Sequence, residues 1–393
     1  MTVIVLPAYR SVRLPAASLP LALGERLWRE QGQGVGVTFP SPVTNDEWVL
    51  YNQGWLGRIV MAEGYVFDLQ ARLPLQNVWR MWAYAYGLER WPVVAGVYET
   101  GSVVDFLEGV GLLLAEGVLR LVRRGLWRQY GTVESRGAIR GRLVTADFGR
   151  GGLPLAIRTR HQVSGVDHED NQILLYTLGQ LLAAGWVDEA RGVVGKAYHA
   201  LRGEVGWRAF TAADCEGRVY SRLAADYEWL HGVCAFILEQ LGPAATGDGR
   251  LMRSFVIKLP YLFEKFVAGW LGQNLAEGWQ LQVQRSVPVR GVGGEVMRYQ
   301  IDMVLAGPGG EVVVLDTKYK DGGRPGAADL NQMVAYAQLQ GGKRAWLVYP
   351  GDGEERPFLA HFGAVEVGAA YFDLSGDLEV GGLRFWEQVV GGG

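Results

Sequence analysis

The chain has 393 residues, of which 49% are hydrophobic and 20% are charged, and its formal net charge is −3. This length and composition indicate a folded globular protein of two or three domains. The small net charge excludes a polycation, so binding to nucleic acid would have to depend on local basic patches.

Three classes of protein are disfavoured by simple patterns. The two cysteines, Cys215 and Cys234, form neither a disulfide framework nor a CxxC metal site. No apolar run reaches about 18 residues, and no basic segment precedes the short apolar start at residues 3–6, so we expect a cytoplasmic protein that does not contact a membrane. Without a GxxxxGK[ST] phosphate loop, the chain is expected to bind no nucleotide itself.

Residues 1–100 are interpreted as a β-rich N-terminal region. Apolar runs separated by Gly, Pro and Asn predict four strands, at residues 35–39, 48–51, 56–61 and 65–69. Apolar side chains at helical spacing, among them Val78, Met81 and Trp82, then predict a helix over residues 77–90.

Residues 101–245 are interpreted as a mainly helical middle region. Helices are predicted at residues 103–129, 169–184, 187–201 and 219–241, and two strands near residues 138–146 and 155–163. Arginines are concentrated between residues 120 and 142, where Glu134 is the single acid. This basic patch is interpreted either as a DNA contact through phosphates or as a solvated helix face followed by a strand; its candidate DNA-binding residues are Arg123, Arg124, Arg128, Arg140 and Arg142.

Residues 246–393 form the third predicted region, after a linker at residues 242–250 that contains Pro and Gly. The predicted elements follow the order αβββαβ, which is the core of a mixed-sheet nuclease fold. They are a helix at 259–274, a strand at 281–289, a hairpin at 299–319, a helix at 327–339 and a strand at 344–349. The whole chain is therefore predicted to have an α+β fold with a C-terminal α/β nuclease domain.

The hairpin carries the candidate catalytic residues Asp302, Asp316 and Lys318. Asp316 and Lys318 share a face because side chains alternate along a strand. Asp302 joins that face only if residues 307–311 form a five-residue connection; a four-residue loop would place it opposite Leu315. Buried carboxylates are costly unless they are paired or bind a metal, so this pattern indicates a Mg²⁺ site for cutting phosphodiesters, while an edge strand with solvated charges stays an alternative.

Further candidates lie around the hairpin. Lysine is scarce, with six lysines against thirty-two arginines, and Lys318 offers a compact charge that suits a site beside water or phosphate. Glu264 is an acid on an apolar helix face, so it either supports the metal or is simply solvated. Lys320, Gln332 and Tyr336 are candidate substrate-binding residues; the last two lie four apart on one helical face and either reach the substrate or only pack.

The C-terminal motifs resemble the PD-(D/E)XK nuclease superfamily, on the basis of Asp302, the Asp316-Thr317-Lys318 triplet and the helix that begins near Asp329. A larger part of the chain, about residues 50–345, is similar to the McrC family of the 5-methylcytosine-dependent restriction system. The matching motifs include Arg124-Gly125-Leu126, Arg140-Gly141-Arg142, Ser164-x-x-Asp167-x-x-x-Asn171, Leu262-Phe263-Glu264 and Leu315-Asp316-Thr317-Lys318.

This resemblance implies an endodeoxyribonuclease subunit used in antiviral defence. It implies that the N-terminal region docks onto a hexameric AAA+ GTPase of McrB type and stimulates its GTPase, while this chain cuts double-stranded DNA. One or two Mg²⁺ ions would be bound by Asp302 and Asp316 with support from Glu264, and Mn²⁺ is expected to substitute. Two other functions stay open: a stand-alone DNA repair or processing nuclease, and a non-catalytic assembly subunit that activates an AAA+ motor.

Overall fold

The computed structural model describes residues 2–61, 64–92, 101–136, 142–143, 158–240, 254–291, 293–320, 325–355 and 358–391. The chain divides into two compact units. One unit combines Met1–Phe106 with Gly249–Gly393, and the other is Leu107–Asp248. The predicted N-terminal and C-terminal regions therefore belong to one compact unit. The predicted linker at 242–250 and Arg140 lie outside the described residues.

The N-terminal part of the first unit holds six strands and two helices within the described ranges. In chain order they are β1 (Thr2–Pro7), β2 (Ser11–Pro15), α1 (Leu21–Gln31), β3 (Val35–Thr38), β4 (Glu47–Asn52), β5 (Trp55–Val60), β6 (Tyr65–Gln70) and α2 (Leu75–Ala85). The four predicted strands are confirmed as β3 to β6. Helix α1 and strands β1 and β2 were not predicted, and α2 ends at Ala85 instead of continuing to residue 90.

The middle unit is mainly helical, as predicted. It contains α3 (Val103–Arg124, which begins in the first unit), β7 (Gln129–Arg136), β8 (Arg142–Leu143), β9 (Arg158–Gly165), α4 (Glu169–Ala184), α5 (Arg191–Arg202) and α6 (Asp226–Gln240). Strand β9 pairs with both β7 and β8. The predicted strands near 138–146 and 155–163 fall partly on undescribed residues, and their described parts are β8 and β9.

Three of the predicted helices in the middle unit are too long, each for a local reason. Helix α3 stops at Arg124 because Gly125 has φ of +91°, a left-handed conformation that ends a helix. Helix α5 starts at Arg191, where the carboxylate of Glu108 accepts hydrogen bonds from the preceding backbone amides of Asp188 to Ala190. Helix α6 starts at Asp226, after a 3₁₀ turn over Arg222–Ala224.

The C-terminal part of the first unit confirms the predicted αβββαβ order and extends it. Its elements are β10 (Phe255–Lys258), α7 (Leu259–Asn274), β11 (Gln280–Arg290), β12 (Val296–Ala306), β13 (Val312–Thr317), α8 (Ala327–Gln340), β14 (Arg344–Gly351), β15 (Phe358–Phe362), β16 (Val365–Asp373) and α9 (Leu378–Val390). Strand β10, the last two strands and α9 were not predicted.

The large sheet of this unit has the strand order β11-β12-β13-β14-β16-β15. Strands β13, β14 and β16 run parallel to their neighbours in that group, while β11, β12 and β15 pair antiparallel, so the sheet is mixed as predicted. Helix α8 packs on one face, where Met333, Tyr336 and Ala337 cover Val314 and Leu347.

The N-terminal strands are joined directly to the C-terminal part of the unit. Strand β10 pairs antiparallel with β5, which completes the four-stranded sheet β1-β6-β5-β10. Helix α7 approaches α2 closely at Gly269, where an added Cβ would lie 2.4 Å from the carbonyl oxygen of Tyr84. Asn77 on α2 donates hydrogen bonds to the carbonyl oxygens of Leu374 and Gly376. None of the described helices combines the length and apolar character needed to cross a bilayer.

Candidate active site

The register of the β12–β13 hairpin agrees with the productive alternative predicted from the sequence. Met303 pairs with Leu315 and Ala306 with Val312, so the connection consists of the five residues 307–311. Extending this register by one residue places Asp302 opposite Asp316. The backbone pairing of β12 with β13 ends before this point. There Thr317 donates its backbone N–H and its hydroxyl to Asp302 Oδ2, at 2.9 and 3.0 Å.

Asp316 and Lys318 form a close pair at the end of β13. Asp316 is only 3% exposed, and its Oδ2 lies 2.6 Å from Lys318 Nζ. Burial, together with repulsion from Asp302, raises the pKa of Asp316 to about 6. Burial opposes the charge on Lys318, but its contact with Asp316 outweighs this and raises the pKa of the lysine above its usual value. The backbone N–H of Lys318 donates to the carbonyl oxygen of Val348, which anchors the lysine to β14.

Glu264 on α7 belongs to the same electrostatic cluster. Burial raises the pKa of Glu264 to about 7, and the charges of Asp302 and Asp316 act in the same direction. Its carboxylate accepts a short hydrogen bond from Gln284 Nε2 on β11. The three carboxylates predicted from the sequence therefore interact electrostatically, and their mutual repulsion favours a bound cation or proton.

The donor set suits Mg²⁺ or Mn²⁺ better than softer metals such as Zn²⁺ or Cu²⁺. Mg²⁺ prefers oxygen ligands, takes one or two carboxylates and keeps several waters. Asp302, Asp316 and the carbonyl of Thr317 offer only oxygen atoms. Within the described ranges, no three His, Cys, Asp or Glu side chains converge to hold an ion by themselves.

Two residues that support the cluster were missed from the sequence. Gln284 lies between Val283 and Arg285, which pair with Met303 and Ile301 on either side of Asp302. Its φ of +51° is unusual for a residue in a strand. Tyr9 also has a positive φ, of 59°, and its hydroxyl donates a 2.6 Å hydrogen bond to the carbonyl oxygen of Tyr319, the residue after Lys318. No local motif marks either position, because each depends on a neighbour distant in sequence.

The predicted substrate-binding residues are partly engaged with one another. Gln332 Nε2 donates to the hydroxyl of Tyr336 at 2.7 Å, and the Tyr336 ring packs edge-on against Tyr299. Lys320 Nζ lies 3.0 Å from Asp329 Oδ2 at the start of α8. These residues line the α8 side of the hairpin, and their role with substrate stays a prediction.

Several arginines of the basic patch form hydrogen bonds or ion pairs within the protein. Arg124 forms a 2.5 Å ion pair with Asp226, an acid from outside the patch. Arg123 donates to the carbonyl of Leu119, and Arg128 donates to the carbonyl of Ser164. Arg142 lies on β8, and Arg140 falls outside the described residues. DNA binding by this patch stays a prediction.

Comparison with known families agrees with this architecture. A profile of the family described as "McrBC 5-methylcytosine restriction system component" matches residues 77–350, which is most of the chain. The chain therefore belongs to this family, and its resemblance to the McrC subunit is confirmed.

Two solved structures from Thermococcus gammatolerans are similar. One is a refined half-complex from a tetradecameric assembly of McrB AAA+ hexamers with bound McrC, with a TM-score of 0.56 and 17% identity, covering 98% of this chain and 99% of that chain. The other is a cryo-EM structure of the McrBC complex, with a TM-score of 0.45 and 17% identity, covering 70% of this chain and 89% of that chain. At this identity the first similarity establishes the fold alone. No curated protein sequence matches this chain.

Proposed function

We propose that this chain is a Mg²⁺-dependent DNA endonuclease subunit of a methylcytosine-dependent restriction complex, with a PD-(D/E)XK-type C-terminal domain. The observation that carries the proposal is the position of Asp302, Asp316 and Lys318 where β12 and β13 separate. Two carboxylates and a lysine that converge at the end of a mixed sheet are suited to phosphodiester hydrolysis.

In this proposal each residue has a distinct role. Asp302 and Asp316 would hold Mg²⁺, with Glu264 and the carbonyl of Thr317 as further oxygen donors. When bound, Mg²⁺ would lower the pKa of a coordinated water and neutralise charge on the phosphate in the transition state. Lys318 would orient the attacking water and hold the scissile phosphate, since its ammonium is a compact point charge with three donors. No covalent enzyme intermediate is required.

We further propose that the chain acts with a hexameric AAA+ GTPase of McrB type and stimulates it. Support comes from the family membership and from the similar chain that was solved with McrB hexamers. The N-terminal region exposes apolar side chains suited to docking, including Trp28, which is 58% exposed. Docking is tested in the full-length chain, because β10 completes a sheet with β5 and a C-terminal fragment would lose that partner.

The test is a cleavage assay with purified chain, methylated duplex DNA and Mg²⁺, with and without the AAA+ GTPase and GTP. We expect cleavage only in the complete mixture, and no cleavage when EDTA replaces Mg²⁺. Equal cleavage without the GTPase would identify a stand-alone nuclease. Stimulated GTPase without any cleavage would identify a non-catalytic assembly subunit.

A further inference from the structure

The β11–β12 hairpin extends beyond the rest of the large sheet. Strand β13 pairs with β12 only from Met303 to Ala306, whereas β11 pairs with β12 as far as Arg290 and Val296. Residues 285–290 and 296–301 therefore form a two-stranded ribbon, here called the outer ribbon, that starts beside Asp302. Its two faces are distinguished by the alternation of side chains along each strand.

One face of the outer ribbon is partly packed, although Arg285 and Met297 on that face are exposed. Val287 and Tyr299 pack against the cluster that α8 forms with the sheet, and Ile301 is fully buried there. The ring of Tyr299 contacts Tyr336 edge-on, with centroids 6.1 Å apart. Arg285 belongs to this face by register, and it donates to Gln282 at 2.6 Å.

The opposite face of the outer ribbon is exposed along its whole length. Its residues are Ser286, Pro288, Arg290, Val296, Arg298 and Gln300. This face carries two arginines and no acid, and neither Arg290 nor Arg298 forms a hydrogen bond or ion pair with another described residue. An exposed arginine without a partner retains all its donors for an anionic ligand.

The exposed face leads directly to the carboxylate cluster. Gln300 Nε2 donates to the backbone and side-chain oxygens of Gln284, at 2.7 and 2.8 Å, and Gln284 in turn contacts Glu264. Arg298 lies four residues from Asp302 on β12, which corresponds to about 14 Å along the strand. That length spans roughly four base steps of B-DNA, since each step rises about 3.4 Å.

We propose that the exposed face of the outer ribbon binds the phosphate backbone of duplex DNA beside the cut, with Arg298 and Arg290 as its phosphate contacts. The proposal rests on the nuclease function proposed above and names the surface that guides the substrate to that site. Its positive charge complements the phosphate backbone of DNA. The face is continuous with the site through Gln300, which makes DNA a better occupant than a second protein.

The test compares the double variant Arg290→Ala/Arg298→Ala with the single variant Arg285→Ala. Arg285 lies on the other face of the same ribbon, and its guanidinium already donates to Gln282. Binding to a fluorescent DNA duplex is measured by anisotropy as a function of salt, in the full-length chain carrying Asp316→Asn so that no cutting occurs. Two lost phosphate contacts should flatten the slope of log affinity against log salt by about 1.8, and Arg285→Ala should leave it unchanged. In the complete cleavage mixture, the double variant should raise KM for DNA and keep kcat.

Three results would overturn the proposal. The first is no binding of duplex DNA at low salt by the Asp316→Asn protein that carries no further substitution. The second is an equal loss of DNA affinity in Arg285→Ala and in the double variant, and the third is a double variant with unchanged DNA binding and weakened binding of the GTPase. The last result would assign the face to a protein interface. Failure of the proposed nuclease function would give a different result. The wild-type protein would not cut DNA in the complete mixture, while the difference in salt slope between the double variant and Arg285→Ala would persist.

Discussion

Replacing Asp316 by asparagine should abolish DNA cleavage and at the same time stabilise the metal-free protein at pH 8. Asparagine has nearly the shape of the protonated carboxyl but carries no charge. It therefore removes a proposed metal ligand, which is a carboxylate that the folded protein keeps almost completely out of solvent, at 3% exposure.

The expected stabilisation follows from the pKa of Asp316. Burial and the charge of Asp302 raise it from 3.8 to about 6, a value that already includes the opposing attraction of Lys318. A rise of roughly 2 units corresponds to about 3 kcal/mol. Because the folded-state pKa lies above the unfolded value, the stability from this group is fully present below pH 3.8 and is lost as pH rises through about 6. The variant should avoid this loss.

The assay is equilibrium denaturation in EDTA at pH 4 and pH 8. The variant should exceed the wild-type protein by up to about 3 kcal/mol at pH 8, and the difference should shrink toward zero at pH 4. The control is Asp68→Asn, which removes the partner of the partly exposed Arg58 and should cost about 1 kcal/mol or less. A destabilised Asp316→Asn protein at pH 8, or a stabilisation independent of pH, would refute the electrostatic reasoning.

Three further predictions concern metal binding, positioning and docking. Mg²⁺ affinity, measured by calorimetry, should rise between pH 5.5 and 7.5, because Asp316 and Glu264 have pKa values of about 6 and 7 and must ionise to bind the metal. The Glu264→Gln variant should lose the upper part of this rise. An affinity that does not depend on pH would contradict the prediction. Tyr9→Phe should cost about 1 kcal/mol of stability, because it removes the hydrogen bond to the carbonyl oxygen of Tyr319, and it should slow cleavage without changing GTPase stimulation. The control variant is Tyr65→Phe. Cleavage by Tyr9→Phe at the wild-type rate would count against a positioning role for Tyr9. Trp28→Ala should lower the stimulation of the partner's GTPase. Trp207→Ala should not, although Trp207 in the other unit is similarly exposed, at 55%. Unchanged stimulation by Trp28→Ala would show that Trp28 does not belong to the docking surface.

Regular elements with strong local patterns were predictable from the sequence. The αβββαβ order followed from apolar periodicity, and α4 and α7 have the predicted bounds because their apolar residues continue to the last turn. The sequence limited the hairpin to two alternative strand registers, and one of them required the five-residue connection that the structure has. Choosing between the registers required the structure, because loop length alone does not determine strand pairing.

Features that depend on distant contacts could not be predicted. Helix α1 was overlooked among strands, although Leu23 and Leu27 line its buried side. The pairing of β5 with β10 joins segments about two hundred residues apart, so the sequence suggested separate N-terminal and C-terminal regions. Gln284 and Tyr9 are ordinary residues in sequence, and only their backbone conformations and their contacts with Glu264 and Tyr319 mark them.

The most direct measurement of the central claim uses the complete mixture of this chain, the AAA+ GTPase, GTP, Mg²⁺ and methylated supercoiled plasmid. Wild-type protein should linearise the plasmid. Asp302→Ala, Asp316→Ala and Lys318→Ala should each leave it intact while stimulating the GTPase as the wild type does. Cleavage at the wild-type rate by any of these three variants would contradict the assignment of the active site.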